Sequence, residues 1–377
     1  MKLREVCEIT SGQNAPQASS DYQIGGKTFI KVSDLDNVIF DDNESRSCKV
    51  TDSAIKEYKL KLFPAGSIIF AKSGLSCVKN RVYLLKRPSY IVNHLCILYN
   101  FKIQINHLWL LYYLKAFNVT KLIKDFSYPS IKLSEIGEID IPAIPLEKQN
   151  KIVEEITQLS NLCKNKLSEL NSFDELIKSR FNDMFVDKGF GVKPIRYFIN
   201  KDKISAKKIY SESDYINYVD ISSIDNSKNE IVSSTKYVFK DAPSRAQQCL
   251  KKKDILVSTV RPNLKNIALF DLSNDGYVGS SGFCVLRPVK CNPYYLKFVV
   301  LTDDFTDKMI SLTTGASYPA IRDNDVFEYQ MIDSPIDLQN EFGEFVEMID
   351  KSKFVVQQQI KDLKELLDKK MDEYFGG

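Results

Sequence analysis

Histidine and tryptophan are almost absent from this chain: His94 and His107 are its two histidines, and one tryptophan stands among 377 residues. Cysteines occur at 7, 48, 77, 96, 163, 249, 284 and 291 without a CxxC pair, so a zinc site has little to be built from and no metal ligands are nominated. Thiols scattered in this way read as small buried hydrophobes rather than a disulfide framework. No apolar run approaches the roughly 20 residues that cross a bilayer. The N-terminal MKLREVCEIT interrupts its apolar residues with charge, where a secretory signal carries an unbroken apolar core. The expected setting is cytoplasmic, with no membrane partner. Also missing are a GxxxxGK(S/T) phosphate loop, an HExxH pair, a glycine-rich dinucleotide fingerprint after a strand, and the Asn-Pro-Pro-Tyr or Asp-Pro-Pro-Tyr motif of adenine methyltransferases. No catalytic residue is therefore nominated. The acid pairs Asp41-Asp42 and Asp303-Asp304 lie in hydrophilic stretches and read as solvated loop charge.

What the chain does have is a duplication. FIKVSDLDN (Phe29 to Asn37) matches YVDISSIDN (Tyr218 to Asn226) at an offset of 189, and SYPSIK (Ser127 to Lys132) matches SYPAIR (Ser317 to Arg322) at 190. IPLEKQNKI (Ile144 to Ile152) matches SPIDLQNEF (Ser334 to Phe342), also at 190. Between them GSIIFAKSG (Gly66 to Gly74) corresponds to KDILVSTVR (Lys253 to Arg261), KN recurs at Lys79-Asn80 and Lys265-Asn266, and Cys96 pairs with Cys284. Two copies of so long a period are two domains with separate cores, not a solenoid.

Each copy divides again. Residues 1–144 and 187–334 carry short runs such as IIF, VYLLK, ILVSTV and NIALFD, rich in β-branched and aromatic residues and broken by turn formers, which predict strands. HLWLLYYLKAF (His107 to Phe117) and PYYLKFVVL (Pro293 to Leu301) predict helices with one face inward. Residues 145–186 and 335–377 then change to sustained helical periodicity, announced by proline and acidic residues. In the first helix Ile156, Leu159, Leu170, Phe173 and Ile177 follow three-and-four spacing; in the second, Ile349, Val356, Ile360, Leu363 and Leu367 do so. Helices of some 40 residues run about 60 Å each. Stripes this narrow are expected to pack on one another as an antiparallel coiled coil with the domains at opposite ends, or else each on its own domain. The expected class is α+β: two repeated mixed α/β domains separated by two long helices.

Net charge is only +3, but it is unevenly spread. Basic residues exceed acidic ones by 19 to 14 in residues 1–144 and 21 to 18 in 187–334, whereas the helices carry 6 against 7 and 6 against 10. From Tyr58 to Lys124 no acid occurs among eleven lysines and arginines. Phosphate neutralisation needs such runs, and base readout needs forked or amide side chains beside them. The candidates for DNA contact are Lys72, Ser73, Lys79, Asn80 and Arg81 in the first copy, and Arg245, Gln247, Arg261, Asn263, Lys265 and Asn266 in the second. The two SYP loops add Tyr128 with Lys132, and Tyr318 with Arg322. These loops either hold a tyrosine against a backbone or serve as domain-closing turns that feed the helices.

Architecture and motifs together resemble the specificity subunits of type I restriction-modification enzymes across essentially the whole chain. The passage Ile144 to Gln149 is similar to the proline-leucine-acid-glutamine boundary that opens their helices; at the second boundary Leu338 replaces the charged residue. GSIIFAKSG is similar to their glycine-aspartate-isoleucine-leucine strand, with Ser67 in the first copy where Asp254 keeps the acid. The resemblance implies a non-enzymatic subunit in which two target-recognition domains each read one half of a bipartite double-stranded DNA sequence. It implies assembly with two methyltransferase subunits and with restriction/translocase subunits. AdoMet, ATP and Mg would belong to those partners, with no cofactor in this chain. The alternative is a coiled-coil protein scaffold without specific DNA readout.

Overall fold

A computed structural model describes residues 1–272, 276–315 and 319–376. Two compact units emerge, one from Met1–Leu167 with Gln359–Gly377, the other from Ser168–Gln358. Besides short helices at Leu3–Val6 and Asp52–Glu57, the first contains β1 (Glu8–Ser11), β2 (Tyr22–Ile30), α1 (Leu35–Asp41), β3 (Cys48–Val50), β4 (Ile68–Ala71), β5 (Val82–Leu84), β6 (Tyr90–Ile91), β7 (Leu95–Tyr99), α2 (His107–Phe117) and α3 (Leu133–Gly137). The long helix α4 (Leu146–Phe185) follows. The second unit contributes β8 (Ile199–Asn200), β9 (Tyr215–Val219), β10 (Thr235–Val238), β11 (Ala246–Cys249), β12 (Ile255–Ser258), β13 (Ile267–Leu269), β14 (Tyr277–Ser280) and β15 (Phe283–Pro288). It continues with α5 (Pro293–Leu301), α6 (Asp303–Ser311) and α7 (Asp323–Phe327), and α8 (Ile336–Phe375) ends the chain.

The apolar runs form the cores. IIFA and ILVS become β4 and β12, buried at every residue, as continuous apolar strands in a sheet centre should be. The first unit orders its main sheet β1-β7-β4-β5, all antiparallel; the second repeats it as β8-β15-β12-β13. A smaller sheet β3-β2-β6 keeps β2 parallel to β6, and its counterpart β10-β9-β14-β11 keeps β9 parallel to β14. The duplication is therefore one of topology as well as sequence. The predicted helices α2 and α5 are present, capped by Asn106 and Asn292, whose side chains each accept from two backbone amides of the first turn. All eight cysteines are free thiols, and burial pushes those of Cys7 and Cys291 up to about 12.

Both predicted long helices are present, and each contributes to both units. In the first unit Ile152, Val153 and Ile156 of α4 join the domain core, against which Leu367, Met371, Tyr374 and Phe375 of α8 also pack. Glu155 receives Lys370 at 3.2 Å and the Tyr374 hydroxyl. In the second unit Asp174 meets Lys353 at 2.5 Å and Arg180 meets Glu341 at 2.6 Å, so the two helices run antiparallel there. Phe181 and Phe342 stand edge to face at 5.5 Å between them. Ile156, Ile177, Ile349, Val356 and Ile360 are buried, while Leu159, Leu170, Phe173, Leu363 and Leu367 are half-buried. Packing on the domains and on the partner helix occurs together, since each stripe is wider than one neighbour covers.

Three readings need correction. Asp41 closes α1 and pairs with Arg46, Asp42 pairs with Lys86 at 3.3 Å, and Asp303 and Asp304 open α6 behind the Thr302 cap. Asp41 is thus helical and largely covered, Asp42 is exposed in the turn that follows as expected, and Asp303 and Asp304 are exposed on a helix rather than in a loop, at a start where free backbone amides attract acids. The KN pairs do not coincide either: the turn after β4 has two more residues than that after β12, so Asn80 and Lys265 share one position, both left-handed at φ 42° and 48°.

Candidate nucleic-acid interface

Three segments converge at one end of the main sheet in each unit. In the first, the chain leaving β4 pairs with the SYP loop: Gly74 N donates to Pro129 O at 2.9 Å, Ile131 N to Lys72 O at 2.8 Å, and Ser73 bridges Ser130. The turn between β6 and β7 joins them, for Lys72 N donates to His94 O at 3.0 Å and Ser73 Oγ shares a hydrogen bond with His94 Nδ1 at 2.8 Å. The second unit repeats the junction. Arg261 N donates to Pro319 O at 2.8 Å, Ile321 N to Thr259 O at 2.9 Å, Val260 bridges Ala320, and Thr259 N donates to Gly282 O at 2.9 Å. Ser281 N donates to Arg245 O at 2.8 Å, which brings Arg245 to the same junction.

Local sequence explains the turn. Gly74 takes φ 77°, which glycine adopts freely, and the chain then enters a tight turn. In the second copy Arg261 holds the same place at φ 50°, directly ahead of Pro262. A non-glycine residue there stores of order 1–3 kcal/mol of strain, which surrounding structure must offset.

The sequence candidates fall into two groups. Lys72 and Ser73 are half-buried in the junction, Tyr128 and Lys132 are exposed beside it, and Arg245, Gln247, Arg261, Asn263 and Arg322 are exposed in the second unit. Lys132 and Arg322 hold equivalent places before α3 and α7. Of the remaining side chains Lys79 stays exposed, and the others are engaged within the protein. Arg81 is largely covered and binds Asp36 at 2.7 Å, holding that carboxyl below its usual range, with Lys79 at 4.0 Å from the same acid. Asn80 bonds Lys115 O and Val119 N at 2.8 and 3.2 Å, Lys265 binds Asp303 at 2.6 Å, and Asn266 is buried. Tyr318 lies outside the described residues. Sequence reasoning passed over His94, whose signal was its rarity, and Lys124, which pairs with Glu135 at 2.5 Å.

This arrangement offers cations and hydrogen-bonding side chains on a stiff backbone platform, suited to an anionic polymer read along its edge. Among the described residues no group of three or more His, Cys, Asp or Glu is placed to hold a metal ion, and no helix is long and apolar enough to cross a membrane.

Comparison with known proteins bears on the same region. Residues 1–172 match the type I restriction modification DNA specificity domain. Over 194 residues the chain is 22% identical to the type I restriction enzyme MjaIX specificity subunit of Methanocaldococcus jannaschii, covering 49% of this chain and 43% of that protein. The chain thus spans less than half the length of that relative. Its fold is similar to a chain of the type I R-M system solved to explain complex assembly and conformational transition, at TM-score 0.61 and 14% identity, over 100% of this chain and 96% of that one. It is also similar to the type I restriction-modification system S subunit from M. genitalium, at TM-score 0.53 and 15% identity, over 98% and 94%. At these identities both likenesses concern the fold.

Proposed function

We propose, because residues 1–172 match the type I restriction modification DNA specificity domain, that this chain belongs to that family and is the sequence-reading subunit of a type I restriction-modification complex. Each domain reads one half of a bipartite double-stranded DNA target, and the paired helices α4 and α8 set the spacing and dock two methyltransferase subunits. Restriction/translocase subunits complete the assembly. Chemistry, with AdoMet, ATP and Mg, resides in those partners, and this chain contributes recognition without catalysis, in the cytoplasm.

The observation that supports this reading best is the repeated junction. The same backbone contacts recur at Gly74 with Pro129 and at Arg261 with Pro319, while the side chains mounted on them differ. A common scaffold with unlike side chains suits two unlike half-sites. Phosphate contacts from Lys72, Lys132 and Arg322 would position the duplex, and Arg245, Gln247, Arg261 and Asn263 carry the forked and amide groups that discriminate bases in a major groove. A scaffold without DNA readout is not favoured, because the matched family is defined by DNA specificity.

The test is selection of bound duplexes from a randomised pool by the assembled complex. Enrichment of one sequence in two separated halves supports the proposal; binding with salt dependence and no preferred sequence defeats it.

A further inference from the structure

Three large apolar side chains of the first unit stand in water at its converging loops: Leu75 is 80% exposed, Phe126 65% and Tyr128 84%. The backbone brings them together. Gly74 N donates to Pro129 O at 2.9 Å, so Leu75 and Tyr128, each the next residue outward, flank that hydrogen bond. Ser127 N donates to Asp125 Oδ1 at 2.8 Å, and the turn so formed carries Phe126. Pro129 is buried and fixed in φ, so the loop is held at its base while its tip is bare.

The surroundings say what covers this tip. Lys72, Lys124 and Lys132 belong to the same loops, and the only acids in the loop segments, Asp125 and the Glu135 that follows, are occupied by Ser127 and Lys124. A polyanion satisfies Lys72 and Lys132, and in a duplex the π-faces and edges of stacked bases are what accept rings and aliphatic groups. We infer that Leu75, Phe126 and Tyr128 form an apolar wedge that enters the base stack of one half-site and distorts the duplex there. This rests on the reading of the chain as a DNA specificity subunit. It makes recognition by the first domain depend partly on how easily its half-site deforms, at positions where no side chain touches a base edge. The second copy keeps one of the three residues in its sequence, Tyr318 for Tyr128, but has Pro262 where the first has Leu75 and Ala316 where it has Phe126. With two of its three apolar members replaced, the second copy is expected to leave its half-site undistorted.

The experiment uses the assembled complex without AdoMet on its selected duplex, with a fluorescent base analogue placed in turn in each half-site, away from the methylated base. The wild-type complex raises the analogue's fluorescence in the half read by the first domain and not in the other. The exposed-residue variant F126A/Y128A loses at least half of that rise and binds about tenfold more weakly. Its salt dependence stays unchanged, because no lysine is removed. Leu75→Ala, a second variant, lowers the rise in the same half. Equal fluorescence in variant and wild type, or equal rises in both halves, overturns the wedge while leaving the specificity reading intact. Failure of the variant to assemble with the methyltransferase assigns the patch to a protein and also overturns it. A wild-type complex with no preferred sequence overturns the specificity reading, and the wedge with it.

Discussion

Gln149 accepts the backbone N–H of Asn106 at 2.9 Å while donating its own amide to Ile144 O at 2.8 Å. Asn106 in turn caps α2 and donates its side-chain amide to Asn150 at 2.8 Å. The second unit repeats the lock: Gln339 accepts from Asn292 N at 3.0 Å and donates to Ser334 O at 2.9 Å, and Asn292 donates to Asn340 at 3.1 Å. The glutamine and asparagine of each boundary motif thus fasten the start of a long helix to the cap of a domain helix. Both glutamines are buried, so their hydrogen bonds cannot be exchanged freely for water.

Replacing Gln149 by alanine leaves the half-buried Asn106 N–H without its acceptor. Unfolding free energy is expected to fall by about 1–3 kcal/mol, read from urea denaturation. Gly343→Ala attacks the second lock from the other side, since a Cβ there would lie 2.6 Å from Asn292 Nδ2. Unchanged denaturation midpoints in both variants would show that the locks carry no stability.

Arg261→Gly separates backbone strain from recognition. Glycine removes the cost of the left-handed conformation, so stability is expected to hold or rise by up to about 1 kcal/mol, whereas loss of the guanidinium lowers DNA affinity. Parallel melting and binding measurements check it. Joint loss of stability and affinity would assign Arg261 to the fold instead.

How much of this was legible in sequence depended on how local each signal is. The helices Leu146–Phe185 and Ile336–Phe375 and the strands around IIF and ILV rest on patterns within a short window, and the duplication on ordered matches at a nearly constant offset. The exposed members of the candidate site followed from charge. Arg81 did not, because nothing near it in sequence announces that Asp36 will fold against it. The lock of Gln149 on Asn106 joins residues 43 apart, and a motif seen alone marks a boundary without showing what it binds. The KN mismatch arose because a turn can lose two residues while its ends keep their conformation.

Glu155 gives the first unit an acid-sensitive contact. Hydrogen bonds from the Tyr374 hydroxyl and then the Lys370 ammonium hold its carboxyl below the usual range. A group with a depressed folded pKa stabilises above its unfolded value, near 4.3 for glutamate, and that contribution is lost as pH falls through the folded value. Lys370, raised by Glu373 and Glu155, loses its contribution only at the alkaline end. Glu155→Gln is therefore expected to melt earlier than wild type at neutral pH and to converge with it in acid. A gap independent of pH would contradict this assignment.

The buried Asp254 takes Arg287 through two bonds, 2.8 Å from Nε and 2.7 Å from Nη2. In the first copy Ser67 and Tyr99 occupy these register positions. Asp254→Ser strands the arginine and is expected to cost about 3–5 kcal/mol, much of which the further change Arg287→Tyr restores. Additive losses in the double variant, measured by denaturant unfolding, would deny the coupling.

The central claim is that each domain reads its own half of one target. Exchange of residues 187–334 for the corresponding domain of another specificity subunit, followed by mapping of methylated sites in cells carrying the assembled system, tests it most directly. The account predicts that one half of the methylated sequence changes and the other is retained. Methylation with both halves unchanged, or with both replaced, would contradict it.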